Sequence, residues 1–234
     1  MGNYFALLTN NFFLTNTMVV TLTYVGVALT LEFFLGLGLA LLIFQKLKGM
    51  RFFRAFLILP TLTAPAAVGW MWLYIYDPNV GILNRFLALF GVQPLLWNTS
   101  INSSLLSVIL MDVWQWTPFM FLILLAGFES VPEEVQEAVR VDGGSYWQAL
   151  RHVTLPLMST VIVVALMFRL MDLFRFYDAI AVLKAPAQSA EIITQHIFRQ
   201  AFSYGDQGMA SAESYILLLI MNVILFVFFL RRLR

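Results

Sequence analysis

The sequence predicts an all-α, polytopic membrane protein of about five transmembrane helices with one polar two-helix loop set between them. Three observations carry this. Of the 234 residues, 61% are hydrophobic and only 12% charged, against about 25% charged in soluble domains. The apolar stretches are each long enough to cross a core of ~30 Å at ~1.5 Å per helical residue. The longest polar, helix-compatible interruption, residues 130–156, lies between two such stretches.

Composition also excludes. A net charge of +1 implies no nucleic-acid partner, and the absence of cysteine removes disulfides and thiol chemistry. His152 and His196 stand far apart in sequence and form no metal-ligand spacing. No G-x-x-x-x-G-K-[ST] run is present to cradle ATP phosphates. No Ser/His pair on spans, H-E-x-x-H or paired carboxylates at catalytic spacing point to an enzyme. The expectation is a chain that catalyses nothing and binds no metal or cofactor.

Taken in order, residues 1–16 lack a basic n-region and are not a signal peptide. They form a short segment ahead of spans expected near Thr17–Phe44, Phe53–Tyr76, Leu105–Phe128, Leu157–Tyr177 and Ser214–Leu230. Basic residues orient these spans. Lys46, Lys48, Arg51, Arg54, Arg140, Arg151, Arg231, Arg232 and Arg234 fall on one side, and only Arg85, Lys184 and Arg199 on the other. The richer side is cytoplasmic, with the N-terminus outside and the C-terminus inside.

Pro60 and Pro65 should kink the second span, with neighbours repairing the freed carbonyls. Trp70, Trp72, Tyr74 and Tyr76 crowd its outer end, either as an interfacial belt or as faces for stacking a ring. Residues 77–104 make an outer loop of a length that is usually functional or packed on a partner.

Arg169, Asp172, Arg175 and Asp178 recur every three residues and place alternating charges along one helical face. Each charge costs roughly 2.5–3.5 kcal/mol at the bilayer centre, so these groups face a cavity or a partner. Arg169 lies about 20 Å beyond Pro156, and Asp112 about 10 Å below the outer end of its span. In a core of ~30 Å those depths coincide, so Asp112 is the expected partner of Arg169. The cluster either ties two spans together or lines a path. Glu32 is a lone carboxylate in the first span, open to contact with another subunit or to a function.

In residues 130–156, Ser130 with Glu133 reads as a capping box, with Pro132 in the first turn. Asp142-Gly143-Gly144 stops that helix, and Gly143 should need a positive φ. Ser145 with Gln148 reads as a second capping box, and Pro156 as the next break. Val135, Ala138 and Val139 give the first helix an apolar stripe; Tyr146, Leu150 and Val153 give the second one. Two small amphipathic helices between spans need a protein surface to bury those stripes.

This stretch resembles the EAA loop of binding-protein-dependent ABC importer permeases. The family pattern is Glu-Ala-Ala, three residues, Gly, nine residues, Ile-x-Leu-Pro. Here stand Glu137-Ala138-Val139, Gly143 and Val153-Thr154-Leu155-Pro156, with both spacings kept and Val139 and Val153 as conservative departures. The run Asp112-Val113-Trp114-Gln115-Trp116-Thr117-Pro118-Phe119 is similar to one common in sugar and polyol permeases, as is Phe168–Asp178. Leu183-Lys184-Ala185-Pro186 departs from the family's L-T-x-G-G-P. Gly2-Asn3-Tyr4 resembles a segment that follows a first helix in the family, a helix this sequence lacks.

The resemblance implies the type I importer permease fold without its usual first helix. Residues 1–16 would be an external segment and 17–234 the permease domain. Function would be half of the path for a sugar, polyol or glycerol-phosphate in a bacterial inner membrane. Glu137, Ala138, Asp142, Gly143, Gly144, Leu155 and Pro156 would couple to the ATPase, and Trp70, Asp112, Trp116, Arg169, Asp172, Arg175 and Tyr177 are the candidates for the solute path. Implied partners are a second, related permease in a heterodimer, two ATPases that use the ATP, an external or periplasmic solute-binding protein, and lipid. The alternative is an ion-coupled carrier using the Arg169/Asp172/Arg175/Asp178 ladder as its relay. Such carriers usually carry internal repeats, and no repeat is visible in the sequence.

Overall fold

Prolines and glycines decide where the helices of this chain stop. The computed structural model describes residues 2–10, 12–44, 50–100, 103–141, 143–183 and 190–232, all helix or connection with no strand among them. The first segment is itself helical, α1 (Gly2–Thr9), and a π turn at Phe13–Thr17 runs directly into α2 (Met18–Phe44). Then come α3 (Met50–Leu62), α4 (Pro65–Ile75), α5 (Ile82–Ala88) and α6 (Ser104–Glu129). The polar stretch gives α7 (Glu133–Val141), α8 (Tyr146–Ala149), a π turn at Leu150–Thr154 and α9 (Leu155–Leu157). The chain continues with α10 (Ser159–Arg175), α11 (Asp178–Leu183), α12 (Ile193–Phe198) and α13 (Gln207–Arg232).

Three described helices are long and apolar enough to cross a membrane: Phe13–Phe44, Ser104–Glu129 and Gln207–Val227. The other two expected spans are bent pairs, which bring the total to five if each pair is one span. Expected as a single kinked helix, the second span is instead two. α3 carries Pro60 and ends at Leu62; Ala64 turns to an extended ψ of 133°, and Pro65 opens α4 at a position where its missing N–H costs nothing. The fourth span also starts differently. Its break falls at Met158, with a 66° bend, and Pro156 sits inside α9 rather than ending a helix. Leu155 N–H bonds to Leu150 O in the π turn just before that proline. The last span begins at Gln207, a full two turns before the expected Ser214.

Contacts divide the chain into two units. The first comprises Met1–Ala28, Thr63–Val113 and Leu170–Arg234. In its interior Tyr76 stacks on Trp97 at 5.6 Å and donates its hydroxyl to Ser107 O at 2.7 Å, and Tyr24 stacks on Phe176 at 5.9 Å. The second comprises Leu29–Leu62 and Trp114–Arg169. Its core is Ala40, Met120, Phe121, Leu124, Leu125, Phe128, Leu150, Met158 and Ala165. Thr61 Oγ1 at the end of α3 donates to Gln115 O of α6 at 2.7 Å, which ties the two helices together within this unit.

Candidate functional site

The polar stretch is built from backbone devices. Gly143 has φ +76°, a conformation glycine adopts freely, as expected from the helix stop. The next amide, Gly144 N–H, reaches back to Val139 O at 2.9 Å, the long bond of a Schellman stop. A Cβ on Gly144 would meet Val139 Cγ1 at 2.6 Å and Val139 O at 2.9 Å, so the second glycine is required by close approach. Ser145 then caps α8 with a full capping box: Gln148 N–H donates to Ser145 Oγ at 3.4 Å, and Ser145 N–H to Gln148 Oε1 at 2.7 Å.

The first expected capping box involves Glu133, whose side chain lies outside the described residues. α7 begins at Glu133, and Ser130 turns backward, donating its hydroxyl to Gly127 O at 2.7 Å while its amide bonds Ala126 O. Ser130 thus bonds back to the last turn of α6, where its hydroxyl and amide serve the Gly127 and Ala126 carbonyls.

Of the expected coupling residues, Glu137 is exposed, Gly143 and Gly144 form the elbow, and Pro156 is exposed on α9. Leu155 packs against the core of the second unit. Asp142 lies outside the described residues, and Ala138 has its backbone in α7 with the side chain outside them. The apolar stripes are only partly covered by their own unit. Leu150 is buried, while Tyr146 is exposed, and Val141 and Trp147 are 86% and 70% exposed. Beneath α8 lies a cavity of about 180 Å³ lined by Phe44, Phe128, Gly144, Tyr146, Leu150 and Thr154.

The path candidates divide between the units. In the second, Trp116 and Arg169 meet, the guanidinium carbon 5.1 Å from the ring centroid. The residue that fills the Arg169 fork is Glu32, read from sequence as lone. Nη2 donates to Oε1 at 2.8 Å and Nε donates to Oε2, with both side chains fully buried. Depth alone did not find Glu32, since depth says nothing about which helix face a group occupies.

Asp112 is fully buried in the first unit, where Trp70 is half exposed and the Tyr177 ring packs tilted against Phe198 at 4.9 Å. The expected charge ladder does not follow one face. A step of three residues drifts by about 60° around a helix, so Arg169 is buried, Asp172 half-buried and Arg175 exposed. α10 ends at Arg175, and Asp178 begins α11.

Residues 5–234 match the family described as binding-protein-dependent transport system inner membrane component. The chain belongs to this family. It is thus an inner-membrane permease subunit of a binding-protein-dependent ABC importer, itself non-catalytic, and nothing in these likenesses supports the ion-coupled alternative. It is 35% identical over 217 residues to the trehalose/maltose transport system permease protein MalF of Thermococcus litoralis, covering 92% of this chain and 72% of that one. It is 30% identical over 246 residues to the sn-glycerol-3-phosphate transport system permease protein UgpA of Yersinia enterocolitica, covering 100% and 81%. A solved bacterial ABC transporter involved in the import of alginate matches at TM-score 0.87 and 23% identity, over 97% of this chain and 81% of that one, which establishes the fold.

Proposed function

We propose that this permease forms half of the path for a small polar solute of the sugar, polyol or glycerol-phosphate class. Its 130–156 helices would dock on a cytoplasmic ATPase. A second, related permease, two ATPase subunits that use the ATP, and an external or periplasmic solute-binding protein complete the machine. The observation that carries this reading is a loop whose elbow is shaped by a positive φ and local backbone bonds while Val141, Tyr146 and Trp147 stand exposed on it. A loop shaped that way, with apolar side chains left uncovered, suits a partner surface. The distribution of Lys and Arg supports placing this loop and the C-terminus in the cytoplasm, with the N-terminus and residues 1–16 outside. The names of the sugar and glycerol-phosphate relatives support the solute class.

Among the path residues, the Trp116 indole N–H is buried with no acceptor among the described residues, which favours a solute contact. The filled fork of Arg169 favours a structural part for that residue.

Orientation is tested in this cysteine-free chain by single introduced cysteines. Val80→Cys should label with an impermeant reagent from outside, and Trp147→Cys only after the membrane is opened. External labelling at position 147 overturns the ATPase-docking assignment. The pair is tested by stability and uptake. Glu32→Leu or Arg169→Leu alone breaks a buried ion pair and should cost about 3–5 kcal/mol, whereas the double variant should cost less than either. A stable double variant that still imports solute makes the pair structural; one that couples to its ATPase yet fails in uptake places the pair on the path.

A further inference from the structure

The position of His196 in the first unit is not explained by solute transport or ATPase docking. It lies on α12, between the candidate spans, and is 3% exposed. Glu191 Oε2 lies 3.3 Å from its Nδ1, and Glu213 Oε1 lies 3.2 Å from its Nε2. Glu191 and Glu213 are themselves 4% and 0% exposed. The imidazole also touches the N-terminal segment, with the rings of Phe12 and Phe13 at 6.2 and 5.7 Å.

We propose that Glu191, His196 and Glu213 form a buried proton-binding site, in which a doubly protonated imidazole joins the two carboxylates and fastens α12 between the N-terminal segment and α13. Two carboxylates flanking the ring favour the second proton. Both ring nitrogens face carboxylate oxygens, and a neutral imidazole can donate from only one of them. The other nitrogen would then set its lone pair against a carboxylate, and a buried carboxylate without a donor is costly. Arg199 does not remove the need. Its Nη2 donates to Glu191 Oε2 at 2.6 Å, so it serves the carboxylate on the Nδ1 side. Among the described residues, the imidazole is the charged partner of Glu213, by an ion-pair contact and not an aligned hydrogen bond, and both Glu213 oxygens are otherwise without a donor. One imidazolium and one guanidinium against two carboxylates leave the cluster neutral, the condition under which buried charges are tolerated.

The groups facing the imidazole act in both directions. Arg199 Nη2 stands 3.4 Å from Nδ1 and opposes a second positive charge, as does burial itself. Gln200 Nε2 lies 3.3 Å from the ring Nε2, and the N-terminal segment contributes the two phenyl rings. Burial alone would push the imidazole down, but the hydrogen bonds and charges of Glu191 and Glu213 outweigh it and raise it to about 9. A histidine raised in the folded state stabilises fully below its ordinary value of 6.5, and that stabilisation is lost as pH rises through about 9.

The test uses the assembled importer purified in detergent, with its thermal midpoint measured from about pH 6 to about pH 10. The difference in midpoint between the wild type and His196→Met should be large at low pH and close as pH passes about 9. A difference of constant size across that range overturns the proposal, because it means that a neutral ring merely fills space. Glu213→Gln provides a second arm if the His196 variant does not assemble. With one carboxylate gone, the alkaline loss of stability should move down by about one pH unit or more. An alkaline loss that stays where the wild type has it also overturns the site.

Discussion

Residues 77–100 fold around the buried Asn84 and Trp97, whereas the elbow at residues 143–148 takes its shape from backbone conformation and a local cap. In the first loop the Asn84 amide donates to Leu95 O at 3.0 Å, and its Oδ1 accepts from Leu95 N–H at 3.0 Å and from the Trp97 indole at 2.9 Å. At the loop's start Asp77 Oδ1 accepts from the Asn79 and Val80 amides at 2.8 and 2.9 Å, bonds that hold its carboxyl below the usual range. In the second loop a positive φ, a 2.9 Å amide-to-carbonyl bond and a capping box do the shaping. Its large side chains, Trp147 above all, take little part. A loop that turns its polar side chain inward belongs to its own unit. A loop shaped by its backbone leaves side chains for something else.

The contrast breaks most visibly at the elbow. Gly144→Val should abolish stimulation of the partner ATPase by more than tenfold while the permease stays in the membrane, because the new side chain collides with Val139. Normal ATPase co-purification with full uptake would show that the elbow's shape does not matter for docking. Asn84→Leu probes the other loop. Leaving the Leu95 amide and the Trp97 indole without an acceptor should cost about 1–3 kcal/mol, read as a lower thermal midpoint. ATPase stimulation per folded complex should be unchanged; a loss of coupling there erases the distinction between the loops. Ser145→Ala removes the α8 cap and should cost about 1 kcal/mol, with partial loss of stimulation. Trp147→Ala should change stability least, within about 0.5 kcal/mol for an exposed side chain, yet weaken ATPase retention on a column. A large fall in stability would show that Trp147 packs on its own chain.

Much of this was legible in the sequence because its causes are local. Hydrophobic length announces a span, and two adjacent glycines after Asp142 announce a helix stop of positive φ. Ser145 and Gln148 sit at the one spacing that lets each cap the other. None of these needs a distant residue, so each survives into the fold as read. Family motifs at fixed spacing did the rest, and they name the class without naming the solute.

What only the tertiary structure decided concerns partners and choices. Glu32 and Arg169 are far apart in the chain, and their pairing depends on which faces α2 and α10 turn toward each other inside the second unit. The Ser130 hydroxyl donates back to Gly127 O at the carbonyl-rich end of α6, a contact that depends on the direction the chain takes after that helix. Pro60 and Pro65 foretold a disturbance but not two separate helices, since that depends on whether packing on each side of Thr63–Ala64 favours one axis or two. Glu191, His196 and Glu213 belong to three different segments and look in sequence like isolated polar residues. Folding removes water from all three at once, and only then must each charge find its opposite within a few ångströms.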